Sequence, residues 1–261
     1  MKRNLNFYSA YKVKAPYPII KVENFIDKKS CRKLCAEIEK FSDFDDLVMN
    51  GRWRVNKGSI NFEKNLKKSP YLFSLFNKLN SNKIFVNMNN LLNSKFHKSS
   101  WKIKLNNYNF SKSNFSEQKF SIFKILSRSK LISNFFTPKI FMDMDFSKSE
   151  RGYFRRAHTD RDSRVLNFLI YLNTIDKKDG GQFQIFDLKK KNIQVLKRFP
   201  DPKSLIKIKS FPPKSGQLFF FLSTPNSYHG VSKFLSNIKN RIFIYGSYSM
   251  DRKANWVKKI N

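Results

Sequence analysis

The chain of 261 residues has few cysteines, few acidic residues and no long apolar run. Its only two cysteines, Cys31 and Cys35, exclude a disulfide-stapled secreted scaffold and make a reducing cytoplasm the expected compartment. No stretch of about 18 uncharged apolar residues is present, which argues against a membrane span or a membrane partner. Residues 1–16 contain charges but no apolar core, so no secretory signal is visible.

The scarcity of acidic residues gives the chain a strong positive charge. It has 19 Asp+Glu against 52 Lys+Arg, a net charge of +33, which suggests nucleic-acid binding. The excess is spread evenly, however, with 29 basic and 12 acidic residues in 1–150 and 23 and 7 in 151–261. We therefore interpret most of it as a chain-wide composition bias. The segment from Lys64 to Met142, with Glu117 as its single acid, is the candidate docking surface for an acidic partner.

The first half of the sequence predicts helices between polar connections. Apolar spacing predicts a helix over Ser30–Phe41 with Asp27 as its N-cap, and Pro70 at N1 predicts another over Ser69–Asn80. The polar stretch Asp43–Ser59 is expected to be a loop. It is either a plain surface loop or a flap that brings Arg52 to the substrate.

From Lys139 onward, short apolar runs alternate with turn residues. This pattern predicts a mostly β core of the sandwich or barrel type, and a distorted jelly roll fits it best. We divide the chain into an N-terminal helical and loop region (1–135) that buttresses the barrel, the β core (136–250) and a C-terminal tail (251–261). The predicted strands are Lys139–Phe146, Val165–Leu172, Gln182–Leu188, Ile193–Leu196, Gln217–Leu222 and Arg241–Tyr248.

Two histidines and one carboxylate form the candidate metal site. His158 and Asp160 stand one residue apart, and His229 follows the Gln217–Leu222 run. Two imidazoles and a carboxylate on one face of an octahedron leave open positions, which suits non-heme Fe(II) and O2 chemistry. Taken alone, either histidine is more typical of a hydrogen-bonded loop residue than of a metal ligand.

A possible anion site accompanies these residues. Arg241 begins an apolar strand twelve residues after His229, and a permanent cation that points inward there needs an anionic partner. A dicarboxylate co-substrate would provide one, with the phenol of Tyr171 donating to the same carboxylate. The alternative is a surface ion pair at the end of the strand.

From Lys139 to Met250 the sequence resembles the Fe(II)- and 2-oxoglutarate-dependent dioxygenase superfamily, especially its prolyl-4-hydroxylase-like branch. The resemblance covers somewhat under half of the chain. Matching features, in order, are Gly152-Tyr153, His158-x-Asp160, Arg164, Tyr171-Leu172-Asn173, Gly180-Gly181, Gln217–Phe221, His229-Gly230-Val231 and Arg241.

The resemblance implies a double-stranded β-helix and assigns roles to its residues. His158, Asp160 and His229 would bind iron(II), and Arg241 with Tyr171 would bind the distal carboxylate of 2-oxoglutarate. Together with O2, and with ascorbate as a candidate reductant, this implies hydroxylation with release of succinate and CO2. The presence of Asp160 favours a hydroxylase, because the related halogenases lack that carboxylate.

The substrate is left open between a peptidyl residue such as proline and a small molecule. Nucleic-acid demethylases of the superfamily carry a second arginine six residues after the first, where this chain has Ser247, so nucleic acid is disfavoured. A non-enzymatic jelly roll that binds a metal or an acidic ligand is the alternative. Tyr153, Arg155 and Arg52 are the candidate substrate contacts, and they would suit a substrate with a carboxylate or phosphate.

Overall fold

Short, mostly apolar runs fold the second half of the chain into strands of two facing β-sheets, and the central strands Arg164–Tyr171 and Leu218–Leu222 are buried on both faces. The computed structural model describes residues 5–48, 51–97, 101–103, 107–112, 137–189, 197–251 and 257–259. The strands are β1 (Ala10–Lys12), β2 (Ile19–Val22), β3 (Asp46–Val48), β4 (Arg52–Asn56), β5 (Trp101–Ile103), β6 (Asn109–Ser111), β7 (Lys139–Ser149), β8 (Arg155–His158), β9 (Arg164–Tyr171), β10 (Phe183–Leu188), β11 (Leu205–Phe211), β12 (Leu218–Leu222), β13 (His229–Val231), β14 (Arg241–Met250) and β15 (Val257–Lys259).

The larger sheet has nine strands and separates two apolar layers. Its order is β1-β2-β12-β9-β14-β7-β4-β3, with β6 added in parallel to β7. Because side chains alternate along a strand, Ile242 and Ile244 of β14 face the helices while Arg241 and Phe243 face the other sheet. The sheet thus places polar and charged side chains of β14 on the inner side without disturbing the helix-facing core.

The smaller sheet has the order β11-β10-β13-β8 and covers the inner face of the larger one. Aromatic residues fill the space between the two sheets, where Phe183 of β10 packs against Phe219 and Phe221 of β12. The predicted mostly β core of the double-stranded β-helix type is confirmed. A separate two-stranded sheet pairs β15 with β5.

Helices pack on the outer face of the larger sheet. They are α1 (Lys28–Glu39), α2 (Ile60–Lys67), α3 (Pro70–Leu79) and α4 (Asn82–Lys95). The predicted helices at Ser30–Phe41 and Ser69–Asn80 are confirmed as α1 and α3, with Asp27 and Pro70 in the expected positions. No helix in the described ranges is long and apolar enough to cross a bilayer.

The expected loop at Asp43–Ser59 is wrong, because part of it forms the hairpin of β3 and β4. In Arg52–Asn56, polar side chains face the inner side of the sheet, whereas Val55 is fully buried in the helix-facing core. This strand, β4, pairs with β7. Strands β1 to β4 therefore join the larger sheet, although they precede residue 135. The predicted strand at Ile193–Leu196 lies outside the described residues, as does much of the basic segment from Lys64 to Met142.

The N-cap of α1 gives a direct test of the helix-capping analysis. The carboxylate of Asp27 accepts a hydrogen bond from the backbone N–H of Ser30 at 2.8 Å. Replacing such a cap by alanine costs about 1 kcal/mol, so Asp27→Ala should lower the free energy of unfolding by that amount in urea titrations. Ser69, the N-cap of α3, makes no side-chain cap bond, and Ser69→Ala is the matched control with a smaller expected loss. Equal losses in the two variants would contradict the analysis.

Candidate active site

Pairing of β8 with β13 brings the two predicted histidine ligands together. His229 is the register partner of His158, and their ring centroids lie 4.6 Å apart. The Nδ1 atoms contact backbone carbonyl oxygens, those of Arg156 and Ser227 respectively, each at 2.9 Å. A carbonyl oxygen only accepts, so both Nδ1 atoms carry the hydrogen. The Nε2 lone pairs of both rings are therefore left for a metal.

Asp160 completes the metal-binding group. One potential ligand atom from each of His158, Asp160 and His229 lies within 4.8 Å of the others. The Asp160 Oδ2 atom is 3.4 Å from His229 Nε2 and accepts a 2.6 Å hydrogen bond from the Tyr245 hydroxyl. Its Oδ1 atom accepts a 2.9 Å hydrogen bond from Arg164. Both carboxylate oxygens are thus fixed in orientation at a side chain that is only 5% exposed.

The electrostatic environment keeps these groups in the form that binds metal. Burial, and after it the neighbouring His229, lowers the pKa of His158 to about 3. Burial also lowers the pKa of His229, although the charge of Asp160 opposes the shift. Burial would raise the pKa of Asp160, but Arg164 and the two histidines outweigh it and hold that pKa well below its usual range. At neutral pH the site therefore offers two neutral imidazoles and one carboxylate.

Arg241 faces the same cavity from the larger sheet. Its side chain is buried at 1% exposure, and its guanidinium lies 4.1 Å from the ring centroid of Phe243 and 5.0 Å from that of Tyr171. One nitrogen, Nη2, donates to the Tyr171 hydroxyl at 3.2 Å, whereas Nε and Nη1 have no hydrogen-bond partner. The expected surface alternative, an ion pair at the end of the strand, does not fit this burial. Buried cationic donors without a hydrogen-bond partner in the protein fit an anionic ligand.

The close approach of Arg241 depends on Gly181. This glycine has φ of +65°, and a Cβ atom at its position would lie 2.8 Å from Arg241 Cδ. A side chain here would be strained in its backbone and would push the guanidinium away. The pair Gly180-Gly181 is one of the features that carry the family resemblance, and the contact across the sheets supplies a physical reason for its second glycine.

One cavity of about 220 Å³ between the sheets is lined by His158, Asp160, His229, Arg241 and Tyr245. The predicted substrate contacts Tyr153, Arg155 and Arg52 all line this cavity. Arg52 is bound by an ion pair to Asp145 at 2.6 Å.

Tyr245 and the contact of Arg164 with Asp160 were not predicted from the sequence. Tyr245 lies four residues after Arg241 on a strand whose side chains point alternately to its two faces. This spacing puts both side chains on the same face, and it could have placed Tyr245 in the cavity.

Comparisons with known proteins agree with this geometry. Residues 144–248 match the 2OG-Fe(II) oxygenase superfamily. HygX from Streptomyces hygroscopicus, solved with nickel, 2-oxoglutarate and hygromycin B, has a TM-score of 0.51 and 11% identity over 89% of this chain and 83% of its own. A Phytophthora capsici prolyl 4-hydroxylase has a TM-score of 0.50 and 14% identity over 89% of this chain and 59% of its own. A Pseudomonas putida prolyl-4-hydroxylase has a TM-score of 0.48 and 14% identity over 90% of this chain and 93% of its own. No curated protein matches the sequence.

The lowered histidine pKa values predict a loss of stability in mild acid. Between pH 7 and pH 5 the unfolded chain takes up protons near its ordinary histidine pKa of about 6.5, while His158 stays neutral in the folded protein and the lowered pKa of His229 acts in the same direction. The free energy of unfolding should therefore fall as the pH falls, with a contribution from His158 of up to about 2 kcal/mol at pH 5. Urea titrations at both pH values measure this.

The variant His158→Gln should lose the part of this pH dependence that comes from His158. His97 is exposed, so His97→Gln is the matched control and should keep the wild-type dependence. An identical pH dependence in the wild type and in His158→Gln would contradict the assignment of two buried neutral imidazoles.

Proposed function

The chain carries a domain of the 2OG-Fe(II) oxygenase superfamily at residues 144–248, and from that premise we propose that the protein is a hydroxylase that uses iron(II), 2-oxoglutarate and O2. The overall reaction converts a C–H group of the substrate to C–OH, and converts 2-oxoglutarate to succinate and CO2. The observation that carries the proposal is Arg241, whose guanidinium is buried with Nε and Nη1 unpaired in the cavity that also contains the metal-binding group.

The donor set fits iron(II). His158, Asp160 and His229 would hold the metal through two imidazole Nε2 atoms and one carboxylate, which is the facial arrangement used by non-heme iron oxygenases. Bound iron(II) would supply the activation of O2 that amino-acid side chains cannot provide. The protein contributes orientation: backbone carbonyls fix the two rings, and Tyr245 and Arg164 fix the carboxylate.

Arg241 and Tyr171 would bind the distal carboxylate of 2-oxoglutarate. A guanidinium binds a carboxylate through two parallel hydrogen bonds, and this geometry would satisfy the unpaired nitrogens of Arg241. The Tyr171 oxygen accepts the bond from Arg241, so its own hydrogen can be donated to the same carboxylate. The aromatic rings of Phe183 and Phe243 line the cavity and keep water from competing for these charges.

The reacting substrate is a peptidyl residue or a small molecule in this proposal. Both kinds occur among the similar folds, since one is a prolyl 4-hydroxylase and HygX was solved with hygromycin B. Ascorbate as a reductant and a cytoplasmic location remain predictions, the second of which rests on the two cysteines.

Anaerobic titration of the protein with Fe(II) and 2-oxoglutarate tests the proposal. Chelation of the metal by the keto acid should give a weak visible charge-transfer band, and succinate should form when O2 is admitted. The band should be lost in His158→Ala, because one imidazole ligand is removed, and retained in His97→Ala, because that imidazole is exposed outside the site. Absence of the band in folded wild-type protein would overturn the proposal.

A further inference from the structure

The entrance of the cavity carries more positive charge than the proposed reaction requires. The lining contains eight cationic side chains, listed here in order: Arg52, Arg54, Lys57, Arg155, Arg161, Arg164, Arg198 and Arg241. It contains three carboxylates, those of Asp143, Asp145 and Asp160. Iron(II) and the 2-oxoglutarate dianion cancel each other, so the lining keeps a net formal charge of +5 when both are bound.

Three of these arginines surround the metal-binding group on the side of the smaller sheet. Arg155 begins β8, three residues before His158, and Arg161 directly follows Asp160. Two hydrogen bonds join Arg198 to Thr159, the residue between His158 and Asp160. The Nε atom of Arg198 donates to the Thr159 carbonyl at 3.1 Å, and the Arg198 carbonyl accepts from the Thr159 N–H at 3.0 Å. We call Arg155, Arg161 and Arg198 the entrance arginines.

Phe199 holds two of the entrance arginines beside a metal ligand. Its ring stacks on His158, with centroids 5.8 Å apart and planes at 13°. The guanidinium of Arg198 lies 5.1 Å from the Phe199 centroid, and that of Arg155 lies 5.9 Å from it. The ring is 54% exposed, so both guanidinium groups are held against an aromatic surface that a ligand can reach.

The entrance arginines repel one another. Burial lowers the pKa of Arg198, and the like charges of Arg161, Arg164 and Arg155 lower it further, against the attraction of Asp160. Guanidinium groups bind carboxylates and phosphates with paired hydrogen bonds, so an anionic group placed among these arginines would be attracted by all three.

We propose that the entrance arginines bind a carboxylate or phosphate of the substrate and so make this enzyme selective for anionic substrates. The anionic group rests against Arg155, Arg161 and Arg198 while the carbon to be hydroxylated points toward His158 and His229. This inference rests on the proposed hydroxylase function. It differs from the binding of 2-oxoglutarate, which uses Arg241 on the opposite sheet.

Binding of matched probe pairs tests the proposal. The protein is loaded anaerobically with Fe(II) and 2-oxoglutarate, and its charge-transfer band is recorded first. Equilibrium binding is then measured for glycerol 3-phosphate against glycerol, and for N-acetyl-aspartyl-prolinamide against N-acetyl-asparaginyl-prolinamide. The ionic strength is about 0.15 M, which screens long-range attraction by the rest of the chain. A twelve-nucleotide single-stranded DNA is the third probe.

We expect an anionic probe to bind at least tenfold more tightly than its neutral counterpart, and the pair that shows the preference identifies phosphate or carboxylate as the source. The double variant Arg155→Gln/Arg198→Gln should remove the preference. The control Arg151→Gln should keep it, because Arg151 is exposed outside the cavity lining. If the double variant does not fold, Arg161→Gln, at an exposed position, should weaken the preference instead.

Equal binding within both pairs, an unchanged preference in the folded variants, or an equal loss in Arg151→Gln would overturn the proposal. Binding of the DNA alone that depends on Arg155 and Arg198 would overturn it in favour of a nucleic-acid substrate. A missing charge-transfer band contradicts the hydroxylase function, whereas the same probe measurements on the metal-free protein still decide whether the entrance selects anions.

Discussion

Arg241 places a permanent positive charge between two β-sheets at 1% exposure, and two of its nitrogens have no partner there. Burying a guanidinium is unfavourable unless its donors are satisfied, so the fold carries an unmet requirement for an anion. Its surroundings are built around that requirement: Gly181 leaves room for the side chain, and the rings of Phe243 and Tyr171 contact the guanidinium. The proposed co-substrate 2-oxoglutarate would satisfy it within the cavity that the candidate metal-binding group also lines.

Hydrogen bonds from the protein orient the side chains of the candidate metal-binding group. Pairing of β8 with β13 sets His158 opposite His229, and hydrogen bonds from Nδ1 to backbone carbonyls fix both tautomers. Because backbone carbonyl oxygens hold both imidazole rings, metal binding should need little rearrangement of these two side chains. Two of the entrance arginines, Arg155 and Arg161, flank the proposed ligands His158 and Asp160 within one short stretch of chain.

Much of the fold and site was predictable because it depends on local patterns. Short apolar runs between turn residues identified β9, β12 and β14, and cap residues identified α1 and α3. The spacing of His158, Asp160 and His229 with Arg241 identified the candidate site. The hairpin of β3 and β4 was missed because the polar residues of β4 face the cavity, which makes this strand resemble a loop in the sequence. Tyr245, Phe199 and Arg198 were missed because their roles arise from contacts between distant segments, which a single sequence does not display.

Discrimination between 2-oxoglutarate and 2-oxopentanoate tests the role of Arg241 most directly. The two keto acids chelate a metal in the same way and have the same chain length, but only 2-oxoglutarate has the distal carboxylate. Wild-type protein loaded with Fe(II) without O2 should bind 2-oxoglutarate about 10- to 100-fold more tightly, as expected for the loss of a charge-assisted hydrogen-bonded pair. Arg241→Met should remove that preference. Equal affinities in the wild type, or a preference that survives in folded Arg241→Met, would contradict the account.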